Sequence, residues 1–364
     1  RCIKEKNEAQ WKKMFTKDNL WALLGQIHIL ESSDLHISSG KSPFIRDKSG
    51  NIVLLEWEWV IAESEIESTL RDILPASKTE EYKTLGETDF SYCAGARRYR
   101  MNAFRDISGT SLAIRVIPEI IPNVESMGFT QEIINLTKKE SGLVLVTGPT
   151  GSGKSTTLAS LIEYINQNQQ KHIITIEDPI EYSFHSKKCL IHQREVWSHT
   201  SSFAKAIRSA LREDPDIILV GEMRDPETIQ AALTLAETGH LVFSTLHTND
   251  AIQSIDRIID AFPSGQQNQI RTQLSMSLTA VIAQVLIPRS DNSGRVAARE
   301  LLLSNDAVKS CIAKSQTHAL YSVLELSRQE GMYSFEIYLD YLLWKGIISQ
   351  ETKERHTKNS SPKS

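Results

Sequence analysis

The sequence predicts an α/β protein of two domains: a small α+β domain, then a parallel-sheet domain that binds a nucleotide, closed by a helical C-terminal subdomain. Three observations predict it. The chain has 364 residues, more than one hydrophobic core comfortably serves. Its middle alternates short apolar strands with helical stretches, the pattern of a parallel sheet covered on both faces. The segment GPTGSGKSTT at 148–157 follows the apolar run LVLV at 143–146 and leads into the helical TLASLIEYI. That is the strand–loop–helix setting a phosphate-binding loop needs.

The N-terminal domain, 1–118, is read from a helix over 19–30, alternating strand residues over 52–60, and polar turns at Gly40, 47–50 and Gly109. Its first 15 or so residues read as an extension. Pro118 precedes, and Pro122 lies within, a stiff linker at 119–123. The nucleotide domain spans 124–298, with strands in LVLVTG, HIITIED, DIILVGE and HLVFSTLH and helices near 203–211 and 228–236. Helical periodicity resumes over 299–352, and the Lys/Ser-rich 353–364 reads as a disordered tail.

Apolar residues make up 40% of the chain, which places it among soluble globular proteins. A net charge of −4 provides no basic field, so direct nucleic-acid binding is not suggested. Cys2, Cys93, Cys189 and Cys311 form no CxxC pair and read as isolated thiols in a reducing cytoplasm. No apolar run reaches the roughly 20 residues of a membrane span, and the first residues are too polar for a signal peptide.

The chemistry starts in the loop. Gly148, Gly151 and Gly153 let the backbone turn tightly so that successive amides point at a phosphate, with Pro149, Thr150, Ser152 and Thr156 completing the cradle. Lys154 reaches the β/γ oxygens of ATP, and Ser155 ligates Mg²⁺. Hydrolysis further needs a carboxylate at a neighbouring strand end, and Glu222 closes the run DIILVG there. The aspartate usual just before it is replaced by Gly221. Glu177 is therefore the second acidic candidate, for water or for Mg²⁺ through a water, although Glu177 and Asp178 also suit a solvated strand end. His240 and His247 flank a strand without a zinc pattern; each fits a structural role, and His247 also fits a contact with the γ-phosphate. Arg97, Arg98, Arg100, Arg105 and Arg115 form a basic stretch, either a solvated face or a source of arginine fingers.

Several longer motifs accompany these residues: SDLHISSGKSPFIR at 33–46, RYRMNAF at 98–104, TIEDPIEY at 175–182, CLIHQREV at 189–196, ALREDPDIILVGEMRDPETI at 210–229 and DRIIDAFP at 256–263. In this order the sequence resembles the PilT-type retraction ATPases of type IV pili, within the secretion-ATPase superfamily, over about residues 19–349. The resemblance implies a PAS-like N-terminal domain and a RecA-like ATPase domain, assembled as a homohexamer peripheral to the cytoplasmic face of the inner membrane. It implies ATP and Mg²⁺ as cofactors, with Lys154 and Ser155 on phosphate and metal, Glu222 as catalytic base and Glu177 as second acid. Arg100 and Arg115 fall where family arginines close the nucleotide site. The implied partners are an inner-membrane pilus platform protein and a possible second retraction ATPase, not nucleic acid. The QREV segment and the missing four-cysteine zinc element favour retraction over extension. Two departures stand out: Ser108 where many members have arginine before a glycine, and DAVKSCIAKSQ at 306–316, with Lys309 in an arginine position. An accessory retraction paralogue and a motor of a type IVB or conjugation-like secretion system are the alternatives.

Overall fold

The computed structural model describes residues 15–360 apart from 31, 48–50, 56–59, 96, 119 and 292. These residues divide into two compact units between positions 119 and 120, inside the expected linker. The proposed extension, Cys2, most of the 47–50 turn and the last four residues lie outside the described residues.

The first unit comprises α1 (Lys17–Ile29), β1 (Asp34–Ser38), β2 (Phe44–Arg46), β3 (Ile52–Leu54), α2 (Glu63–Ile73), α3 (Ala76–Leu85), β4 (Glu87–Ala94), β5 (Arg97–Asp106) and β6 (Gly109–Val116). The strands form an antiparallel sheet in the order β3-β2-β1-β6-β5-β4. Thr88, Phe90 and Tyr92 of β4 are buried while Glu87, Asp89 and Cys93 are exposed, the period-two pattern of a sheet with one wet face. Leu20, Leu23, Leu24 and Ile27 recur at helical spacing on α1 and pack with Ile66, Leu70 and Ile73 of α2 against Leu35, Ile37, Met101 and Leu112. The strand expected over 52–60 ends at Leu54, and residues 56–59 of it lie outside the described residues.

The second unit runs α4 (Gln131–Leu136), β7 (Gly142–Thr147), α5 (Lys154–Asn168), β8 (His172–Glu177), β9 (Leu190–Glu195), α6 (Phe203–Ala210), β10 (Ile217–Val220), α7 (Pro226–Glu237), β11 (Leu241–Leu246), α8 (Ala251–Asp260), α9 (Ser264–Ser277), β12 (Leu278–Pro288) and β13 (Arg295–Leu303). It closes with α10 (Asp306–Ala313), α11 (Leu320–Leu326), α12 (Phe335–Trp344) and α13 (Gln350–Ser360). The sheet order is β13-β12-β7-β11-β10-β8-β9, parallel except for the β12–β13 pair. Every residue of β7 and β11 is buried, as both-face coverage requires. Leu143 and Leu145 pack with residues of α7, α8 and α9 on one face. Val144 and Val146 pack with Leu158, Leu161, Ile162 and Ile165 of α5 on the other.

Two expectations are corrected. The nucleotide domain does not end at 298, because β13 continues to Leu303 and pairs with β12 throughout. Val308, Ile312, Leu320 and Leu324 from α10 and α11 join the same core cluster as Leu143, so these helices belong to the sheet domain. Nor is 353–360 a coil: α13 extends to Ser360, with Arg355 paired to Glu351 at 3.1 Å and Lys353 paired to Asp340 of α12. A polar composition suited to disorder is held helical by i,i+4 pairs and an anchor on the preceding helix.

One buried acid ties several of these elements together. Glu300 of β13 is 5% exposed, and its Oε1 accepts the backbone N–H of Ala251, the first residue of α8, at 3.0 Å. Burial, reinforced by nearby Asp250, pushes its carboxyl from the ordinary 4.5 up to about 7. The fold therefore prefers the neutral acid. The contribution to stability is full below pH 4.5 and is lost as pH rises through about 7, a total of about 3 kcal/mol. Glu300→Gln is expected to remove this part of the slope when urea unfolding is measured at pH 5 and pH 8. Identical slopes in variant and parent would show that Glu300 does not titrate in this window.

Candidate active site

The phosphate loop joins β7 to α5. Gly148, Gly151 and Gly153 adopt φ of 146°, 77° and 86°. At Gly148 the requirement is also spatial, because a Cβ there would lie 2.2 Å from the backbone oxygen of Gln284. Lys154, 8% exposed, donates from Nζ to the carbonyls of Gly148 at 2.9 Å and Pro149 at 3.1 Å. Burial lowers its pKa, and the nearby Glu181 and Glu222 oppose that shift. Thr156 Oγ1 shares a 2.9 Å hydrogen bond with Tyr182 OH. Ser152 Oγ is buried with no protein partner, an orphan donor in a loop of converging amides that suits an anionic phosphate.

Parallel pairing brings the acidic candidates to the same edge. β8, β10 and β11 end at Glu177, Val220 and Leu246, so Glu177, Glu222 and His247 emerge beside the loop. Glu222 Oε1 pairs with Arg224 Nε at 2.7 Å, and its Oε2 lies 3.6 Å from His247 Nε2. Burial lowers the His247 pKa, assisted by Lys154 and Arg224 and opposed by Glu222. Glu177 Oε1 accepts from Thr175 Oγ1 at 2.7 Å and from Gln193 Nε2 at 3.3 Å, while burial pushes its carboxyl up to about 7.

Gly221 has a steric reason. A Cβ there would sit 3.3 Å from both Glu177 Cα and the Ile176 carbonyl oxygen. A side chain there would push on the backbone of β8, and Glu177, at the end of that strand, supplies a second carboxylate beside Glu222. The loop and the histidine turn are also joined: Thr147 Oγ1 donates to Thr248 O at 2.8 Å and accepts from Thr248 N at 3.1 Å. Thr248 Oγ1 in turn bonds Ser254 Oγ of α8 at 2.5 Å.

The result is one cleft of about 420 Å³ lined by residues 150–156 together with Glu177, Glu181, Tyr182, Glu222 and His247, among others. Gly148 and Pro149 lead into the loop from β7. All the lining residues belong to the second unit. His240, at the opposite end of β11, bonds Leu235 O through Nδ1 at 3.1 Å and is structural. Arg100 and Arg115 lie in the first unit, directly opposite each other on β5 and β6. Arg115 Nε bonds Asp34 Oδ1 at 2.8 Å, and Arg100 Nε lies 3.7 Å from Asp89 Oδ1. Arg105 stacks over Tyr82 at 4.8 Å, so its guanidinium is engaged locally. Sequence reading missed Tyr182, Arg224, Gln193 and Gln284. The one visible signal for Gln284 is a lone amide within the apolar strand LTAVIAQVLIP.

A family model described as type II/IV secretion system protein matches residues 90–335, more than half of the chain. The chain belongs to this family of secretion-system ATPases. Within it, the chain is 44% identical over 328 residues to the type IV pilus retractation ATPase PilT of Pseudomonas aeruginosa, covering 90% of this chain and 94% of that one. It is 44% identical over 341 residues to a twitching motility protein of Neisseria gonorrhoeae, covering 92% and 91%. The crystal structure of the pilus retraction motor PilT with bound ADP superposes with a TM-score of 0.85 at 41% identity, covering 94% and 97%. The secretion-family fold, an N-terminal mixed domain followed by the ATPase domain, is the fold described above.

Two glycines separate binding from turnover. Gly148→Ala is expected to weaken ADP binding by about a hundredfold, since the loop cannot keep its path beside Gln284. Gly221→Ala is expected to displace Glu177 by a few tenths of an ångström and slow ATP turnover about tenfold, with ADP affinity little changed. Calorimetry and phosphate release measure the two effects. Equal loss of binding in both variants would contradict this division.

Proposed function

We propose that this chain is an ATP-hydrolysing motor that powers retraction of type IV pili, and with it twitching motility. The observation that carries the reading is the convergence of a complete phosphate loop with Glu222 and His247 in one cleft, in a chain similar over nine-tenths of its length to a pilus retractation ATPase.

Lys154 and the loop amides hold the β- and γ-phosphates, and Glu222 accepts the proton of the attacking water. The ion pair with Arg224 orients the Glu222 carboxylate, whose other oxygen lies 3.6 Å from His247 Nε2, and in this reading His247 contacts the departing phosphate. Ser155 and, through a water, Glu177 would hold Mg²⁺. When bound, that ion neutralises the phosphate oxygens. The residues fit it: Ser155 and both carboxylates line the cleft, and the three glycines with orphan Ser152 fit the nucleotide it accompanies.

The working assembly in this reading is a homohexamer, peripheral at the cytoplasmic face of the inner membrane and acting on a pilus platform protein. A second retraction ATPase is the further partner in this scheme, and no nucleic acid is engaged. No helix among the described residues is long and apolar enough to cross a membrane. Arg100 and Arg115 then supply positive charge to a nucleotide site in the assembled ring.

Deleting the gene and replacing Glu222 by Gln are each expected to leave cells with excess, immobile pili, counted by microscopy and scored for twitching. Normal pili in both strains would overturn the reading, and a defect on deletion alone would mean that hydrolysis is not what the chain contributes. In the purified protein, Arg115→Ala is expected to lower turnover per chain about a hundredfold at concentrations where the parent is assembled. Unchanged turnover would remove it from the site.

A further inference from the structure

We propose that Gln284 is a positioning residue of the nucleotide site, the buried template that holds the phosphate loop in its anion-binding shape. The inference rests on reading the loop as the nucleotide site and adds a residue from β12, a strand that none of the sequence motifs reaches.

Gln284 is the fully buried amide of β12, with 0% exposure, flanked by Val281, Ile282, Ala283 and Val285. A buried amide is costly unless its donors and acceptor find partners. Both ends of this one are used on the phosphate loop and its helix. Nε2–H donates to the backbone oxygen of Ser152 at 2.8 Å, and Oε1 accepts from Thr157 Oγ1 at 2.8 Å. The amide orientation follows from the chemistry, because the Ser152 carbonyl can only accept.

The same residue meets the loop at two further points. Its backbone oxygen excludes any side chain at Gly148, and its Nε2 lies 3.4 Å from where a Cβ on Gly153 would stand. One residue therefore touches the start of the loop, its middle and the first turn of α5. By fixing the Ser152 carbonyl it sets the orientation of the peptide between Ser152 and Gly153, whose N–H points the opposite way from that carbonyl. A loop amide turned away from the phosphate contributes nothing to anion binding. Gln284 acts through the loop and does not line the cleft.

The test uses ADP binding, which needs no turnover, on the full chain. Gln284→Leu removes both bonds; Gln284→Glu keeps the acceptor for Thr157 and loses the donor to Ser152; Thr157→Val removes one bond from the other side. Calorimetry is expected to show ADP bound about tenfold more weakly by Gln284→Leu and about threefold more weakly by Thr157→Val. The double variant should be no weaker than Gln284→Leu, since the two act as a unit. The KM for ATP should rise in step with the ADP dissociation constant.

A lowered thermal midpoint with parental ADP affinity in both Gln284 variants would overturn the proposal and leave Gln284 a packing residue. Should they fail to fold, Thr157→Val decides alone, and parental ADP affinity in it overturns the proposal. Lys154→Ala is the control: if it still binds ADP, the nucleotide site itself has been misread, an outcome distinct from failure of the Gln284 inference.

Discussion

The structure depends on parallel pairing of β7, β11, β10 and β8 between two buried faces. Parallel strands all point the same way, so whatever follows each strand is delivered to one edge of the sheet. The loop at 148–156, the Glu222 turn, the His247 turn and Glu177 are far apart in the chain and adjacent in space for that single reason. Burial on both faces keeps the strands nearly free of polar side chains, so the chemistry is confined to strand ends.

Confinement also sets the protonation states. The same desolvation that lowers Lys154 and His247 raises Glu177, which narrows the charge difference among groups crowded into a small cleft. An anionic ligand bound among these groups would oppose the downward shifts of the lysine and the histidine, because negative charge favours their protonated forms. Gly221 belongs to this economy of space: a Cβ there would press on the backbone of β8 at Ile176 and Glu177.

What was legible in the sequence was local. The phosphate loop has its glycines, lysine and serine within ten residues, and Glu222 sits at the end of an apolar run; a motif that carries its own context can be read without a fold. Gln284 could not be found this way, because its hydrogen-bond partners lie 132 and 127 residues away. The segment RVAARELLL has good helix formers, yet nine-residue pairing with β12 makes it a strand, tertiary contacts outweighing propensity. Helix α13 failed in the opposite sense, since a polar composition argued for disorder while charge pairs at helical spacing were present in ETKERHTKN. Arg100 and Arg115 could be named from sequence, but their place opposite each other on adjacent strands, with Asp34 and Asp89 balancing them, appears only with the sheet register.

The hydroxyl contacts among Thr147, Thr248 and Ser254 have a mechanical consequence. They splice the last residue of β7 to the turn after His247 and to the first turns of α8, so the start of the phosphate loop and the histidine share one rigid mount. Glu177 stands on a separate footing, steadied by Thr175 and Gln193 from β8 and β9. A strain that shears the sheet between β10 and β8 would change the gap between acid and phosphate while the distance from loop to histidine stayed constant. The cleft is thereby built like a vice with one fixed jaw.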